Sequence, residues 1–156
     1  MRNKQMIADT IYLMLIAATL GGVLILGVFV APVVFNTTAL ERYEEGIIMA
    51  DIFSRFTYWL YVMLVAIILY EGYEYKNFKR DRIIIASALM SIFTILMFNA
   101  VYTPKILEMQ SLGEEATMSE EFSNIHIASE IDFKLLAIGL IVLFARRYYL
   151  ITHPQK

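Results

Sequence analysis

The sequence predicts an all-α integral membrane protein: one bundle of four membrane-spanning helices with both termini on the cytoplasmic side. Apolar content, long charge-free runs and the placement of Lys and Arg carry that expectation. Apolar residues make up 59% of the 156-residue chain and charged residues 18%, against about 45–50% and about 25% in a soluble domain. Arg, Lys, Asp and Glu are absent from Thr10 to Leu40, from Phe56 to Tyr70 and from Ile83 to Pro104. The last run makes roughly 33 Å of helix at ~1.5 Å per residue, enough for a hydrocarbon core of about 30 Å. Backbone in lipid must pair its own polar groups, so these runs are read as helices. Four spans use nearly the whole chain, which leaves one domain, residues 1–156.

The first span is expected at about residues 8–35, as a retained helix, since its apolar run is too long for a cleaved signal peptide. Small residues four apart, Ala17/Gly21, Ala18/Gly22 and Gly27/Ala31, would admit a close neighbour, and Pro32 should loosen the far end. The second span, about 46–70, must carry Asp51 and Arg55 in its first turns, because its uncharged part is too short alone. The third, about 83–103, should end at Pro104. The fourth, about 119–149, should begin at a capping box, Thr117-x-x-Glu120. It should close on Arg146-Arg147-Tyr148-Tyr149 as an interfacial anchor.

Orientation follows from the basic residues. Arg2, Lys4, Lys76, Lys79, Arg80, Arg82, Arg146, Arg147 and Lys156 fall on one side, and only Arg42, Arg55, Lys105 and Lys134 on the other. The richer side is expected in the cytoplasm. Most carboxylates fall opposite, so the outer surface should be acidic. The partner implied is a lipid bilayer, that of a cell membrane and by this reading a bacterial inner membrane.

With that topology the intramembrane polar groups collect in the outer third. Asn36 ends the first helix, Asp51 and Arg55 begin the second, Asn99 lies late in the third, and His126, Glu130 and Lys134 occupy the first half of the fourth. Charges in a span cost about 2.5–3.5 kcal/mol each on insertion scales and so tend to pair and face inward. Asp51/Arg55 and Glu130/Lys134 have the favourable i, i+4 order. Two readings follow. One is interhelical packing by Asn36, Arg55, Asn99, Ser129 and Lys134. The other is an outer-facing polar pocket in which His126, Glu130 and Asp51 ligate a cation, a mixed N/O donor set that suits a divalent ion. Met109 and Met118 with His126 would suit copper instead. The stripe His126–Glu130–Phe133–Ala137 is expected to face the bundle interior, with Asp132 turned toward outer water.

No cysteine is present, which removes disulfides and thiolate chemistry. No nucleophile with a base, phosphate-binding glycine loop or pair of spanning histidines occurs, so the chain does not read as an enzyme or a nucleic-acid binder.

Gly27-Val28-Phe29-Val30-Ala31-Pro32-Val33-Val34-Phe35, the segment from Gly46 to Phe53 with Arg55, Tyr102-x-Pro104, Met109 and Phe122-x-x-x-His126-x-x-Ser129 resemble the small membrane proteins typified by eukaryotic transmembrane protein 205. The resemblance implies a four-span fold of unknown molecular function, with bacterial members loosely labelled copper-resistance-related and the eukaryotic type member linked to platinum-drug resistance. It points to Pro32, Phe35, Pro104, Phe122, His126 and Ser129 as any shared site, and Glu130 and Lys134 lie outside that pattern. The functional expectation is therefore a small protein with an outer-leaflet polar pocket that binds or helps move a cation. The alternative is an accessory subunit or homo-oligomer, docking through the small residues of the first helix.

Overall fold

Charge-free runs of this length leave the backbone no partner but itself, and the chain is all-α. The computed structural model describes residues 2–77 and 81–153; Lys79, Arg80 and Lys156, counted above in the basic set, lie outside them. The elements are α1 (Arg2–Leu24), a π-helical segment Ile25–Val30, α2 (Ala31–Phe35), α3 (Arg42–Asn77), α4 (Arg82–Met97), a second π segment Phe98–Tyr102, α5 (Thr103–Ser111), α6 (Glu114–Thr117) and α7 (Glu120–Thr152).

Both π segments sit immediately before an X-Pro step. Proline lacks an N–H, and its ring collides with the carbonyl four residues back. Widening one turn to an i→i−5 bond relieves this: Ala31 N–H donates to Leu26 O ahead of Pro32, and Thr103 N–H donates to Phe98 O ahead of Pro104. Neither proline ends a helix. The third span was expected to stop at Pro104, but helical structure runs on through α5 to Ser111. The start of the last helix also differs from expectation. Ser119, not Thr117, is its N-cap, with Oγ accepting from Phe122 N–H at 3.1 Å. Thr117 instead closes α6, its hydroxyl donating to Glu114 O.

α1 packs on α3 and α7, and α4 packs on the same two. Ile16, Leu60, Met63, Ile67, Ile95, Leu136, Leu140 and Leu143 form a fully buried apolar centre. α4 and α7 approach most closely at small residues: a Cβ added at Gly139 would lie 2.7 Å from Ser91 Oγ and 3.6 Å from Ser87 O. Gly22 of α1 likewise meets Phe56 of its own chain, a Cβ there falling 2.9 Å from the ring.

Three stretches, Lys4–Phe35, Arg42–Lys76 and Arg82–Ser111, are long and apolar enough to cross a membrane. They present Met14, Phe29, Val33, Leu69, Leu89 and Phe93 exposed. Apolar surface on that scale is unstable in water and suits lipid. The chain is a multi-pass membrane protein.

Gln5 and Asp9, Tyr70 to Glu74, Asp81 and Arg146–Arg147 meet at one end, called here the terminal end. Phe35, Tyr43, Gln110 and His126 meet at the other. Asp81 does two jobs at the terminal end. Its Oδ1 caps α4 by accepting from Ile83 and Ile84 N–H at 3.0 and 3.1 Å, and its Oδ2 accepts from Arg146 at 2.6 Å. The Arg146 hydrogen bond holds the Asp81 carboxyl below the usual range. A carboxyl depressed in the folded state contributes stability above its unfolded value of about 3.9, and that contribution is lost as pH falls through the lower folded value. Asp81→Asn keeps a capping oxygen but not the ion pair. It should lower stability at neutral pH by about 1 kcal/mol and flatten the acid limb of a melting-temperature profile. An unchanged acid limb would assign it to other carboxylates.

Candidate functional site

At the end away from the termini the stretch from Val23 to Asn36 and α7 line an open cleft of about 1360 Å³. The π segments shape it. Gly27, Val28 and the Ala31-Pro32 step form one wall, Phe98 and Thr103 contribute from the second π segment and the turn after it, and Met49, Ala50 and Phe53 of α3 complete the floor. α7 supplies the opposite wall through Ser123, His126, Ser129, Glu130, Phe133, Lys134 and Ala137. Such π-turns often mark functional places in a helix.

The lining is sorted along the helix axes. Toward mid-span it is apolar: Val23, Gly27, Phe53, Phe98, Phe133 and Ala137. Phe53, Phe98 and Phe133 pack mutually with ring centroids 5.1–5.6 Å apart. Toward the helix ends polar groups enter it, with Asn36, Tyr43, Glu45, Gln110, Ser119 and His126 set among Phe35, Leu40, Met118 and Phe122, while Glu130 and Lys134 line the α7 side next to Phe133. His126 stacks on Phe122 at 6.0 Å and meets the edge of Phe35 at 6.3 Å.

The expected site residues divide. Pro32, Asn36, His126, Ser129, Glu130 and Lys134 line the cleft, and Asp51, Arg55, Asn99 and Pro104 do not. His126 Nε2 lies 3.3 Å from Glu130 Oε1, and Lys134 Nζ lies 3.3 Å from Glu130 Oε2. Asp51 is held by Arg55 at 3.1 Å on an exposed surface, so the pair is a local i, i+4 contact. Among the described residues no group of three or more His, Asp or Glu side chains is placed to hold a metal ion. The methionines are separate too: Met109 is buried, and Met118 is exposed at the cleft with His126. Asn99 is a packing residue, its Nδ2 donating to Thr57 O at 3.1 Å. Asn36 serves its own helix end, donating to Pro32 O at 2.6 Å. Of the six positions carrying the family resemblance, Pro32, Phe35, Phe122, His126 and Ser129 border the cleft.

A family model described as a domain of unknown function (DUF4149) matches residues 14–115. The chain belongs to the DUF4149 family. Comparison with curated proteins and with solved structures returns no match. In this DUF4149 protein the matched stretch supplies the floor and the π-segment wall of the cleft, and α7 supplies the opposite wall from beyond it.

Two polar features of the DUF4149 protein depart from expectation. Glu130 and Lys134 were expected to face the interior and Asp132 to reach water. Instead Glu130 and Lys134 are exposed at the cleft, and Asp132 is 5% exposed with no hydrogen-bond partner at Oδ2 among the described residues. The rotation of α7 is fixed by Leu136, Leu140 and Leu143, all fully buried, and Asp132 lies one turn before Leu136 on that face. The same face carries Arg147 inside at the other end. Arg147, expected as part of an interfacial run, is only 8% exposed and turned into the bundle. Its Nε and Nη2 donate to Glu71 and its Nη1 donates to Glu74 at 3.0 Å. Gln5 bridges Glu74 and Asp9 at 3.0 Å each, and Tyr70 OH donates to Asp9 at 2.5 Å. Arg147 also lies 5.1 Å over the Tyr70 ring, which stacks on Tyr12. This network joins α1, α3 and α7 at the terminal end.

Proposed function

We propose that this protein crosses the membrane four times, with both termini cytoplasmic, and binds a small amphiphilic molecule in the cleft between its first membrane-spanning stretch, Lys4–Phe35, and α7. The observation that carries the reading is the mixed lining, mainly aromatic and aliphatic toward mid-span and with most of its polar groups toward the helix end. A bare metal ion needs several donors within about 2–2.6 Å, and among the described residues no group of three such side chains converges on the cleft. An amphiphile uses both halves of the lining at once. Exposed Ile127, Ile131, Leu135, Ile138 and Val142 along α7 support its crossing the bilayer as well. The excess of Lys and Arg near the termini supports their cytoplasmic placement, in a cell membrane of the bacterial inner type. The likeness to the transmembrane protein 205 family fits the same reading, since five of its six shared positions border the cleft. An accessory subunit docking through the first helix would have to use Ala17/Gly21 or Gly27/Ala31, because Gly22 is occupied by Phe56.

The test is photolabelling in nanodiscs with an alkyl alcohol bearing a tail diazirine, followed by peptide mapping. Adducts should concentrate in residues 23–35 and 123–137. Adducts spread evenly over lipid-facing positions such as Leu69 and Phe93 would mean that the cleft holds nothing in particular.

A further inference from the structure

Glu45 is the group in the cleft that the packing does not explain. It is 6% exposed and lines the cleft, yet among the described residues its carboxylate has no hydrogen-bond or ion-pair partner. Helix capping does not require it there. The start of α3 is served by Glu44, whose Oε2 accepts from Glu41 N–H at 3.1 Å, and Glu44 remains exposed. Glu45 instead heads the i, i+4, i+8 stripe Glu45–Met49–Phe53, all three residues lining the cleft. Its oxygens are not among the sealed, unpartnered side-chain atoms, so the carboxylate is open to the cleft and free to meet a cation that enters it. The other charges of the cleft do not supply one. Glu130 holds His126 and Lys134, while Arg42 and Glu114 are exposed at the rim and make no ion pair among the described residues.

We propose that Glu45 is the counter-ion for a cationic head group, an alkylammonium, on the amphiphile that the cleft binds. This rests on the amphiphile reading above and narrows it to a ligand class. The apolar part of the ligand lies along Met49, Phe53 and Phe133, and aromatic faces close to a bound cation add further attraction.

The experiment compares two photoreactive probes with the same diazirine tail, one ending in trimethylammonium and one in a hydroxyl, on the full chain in zwitterionic nanodiscs. The wild type should give cleft adducts with the ammonium probe at a concentration on the order of tenfold lower than with the alcohol, the scale of one charge-assisted contact. E45Q should bring the two probes level while keeping alcohol labelling, which also reports that the variant is folded. A preference that survives E45Q, or equal labelling of the wild type by both probes, overturns the assignment of Glu45 and leaves the cleft reading standing. Cleft adducts with neither probe would remove the cleft reading itself. Should E45Q lose both adducts through misfolding, tetramethylammonium competition on the wild type decides. Selective displacement of the ammonium probe supports the proposal, and none overturns it.

Discussion

Replacing Arg147 with Ala should destabilise the protein by about 3–5 kcal/mol, because it leaves carboxylates buried without their cation. The side chain is 8% exposed and meets Glu71 through two nitrogens and Glu74 through a third. Those partners lie on α3, and through Gln5 and Asp9 the network reaches α1. Removing the guanidinium therefore loosens two interhelical contacts at once. Arg147→Lys should recover little, since an ammonium cannot reproduce the planar fork that engages both carboxylates. A triple variant with Glu71→Gln and Glu74→Gln added to Arg147→Ala should recover part of the loss by removing the stranded charges. Thermal unfolding in detergent, read by size-exclusion recovery, checks all three. A wild-type melting temperature in Arg147→Ala would mean that water reaches this network freely.

The membrane-crossing helices were legible because the signal is long. A charge-free run such as Ile83 to Pro104 has one physical outcome in lipid. Polar residues at mid-span were legible as a group, but their directions were not. Reading Glu130 and Lys134 as inward and Asp132 as outward depended on the rotation of α7. Leu136, Leu140 and Leu143 set that rotation by packing against neighbouring helices, and spacing alone does not say which of several apolar stripes wins. The same stripe was the available signal for Arg147, which lies four residues after Leu143. Its place in a doubled Arg-Arg-Tyr-Tyr run looked interfacial instead. Pro32 was expected to loosen its helix end and Pro104 to stop the third span; the helices instead absorb both through π turns, and residues of those turns line the cleft. Glu45 could not be found from sequence, since an acidic residue in the first turn of a helix is ordinarily explained by the helix dipole.

Asp132→Asn should raise stability by about 1–3 kcal/mol, the reverse of what substituting a buried residue usually does. The carboxylate occupies the interface side of α7 between Ser129 and Leu136, is 5% exposed, and leaves Oδ2 without a partner among the described residues. The facing run Ile83 to Pro104 offers no cation. Burying an unpaired polar atom costs about 1–3 kcal/mol and a charge more, so a neutral side chain of the same shape removes part of a standing penalty. Arg147 sits on the same face about 22 Å farther along the helix at ~1.5 Å per residue. One stripe therefore holds a charge that is fully met and a charge that is not. Sites so far apart should combine additively within about 0.3–0.5 kcal/mol, so Asp132→Asn should offset a share of the Arg147→Ala loss equal to its own gain. If Asp132→Asn lowered the melting temperature instead, the carboxylate would have a partner in the membrane that the helix packing itself does not provide.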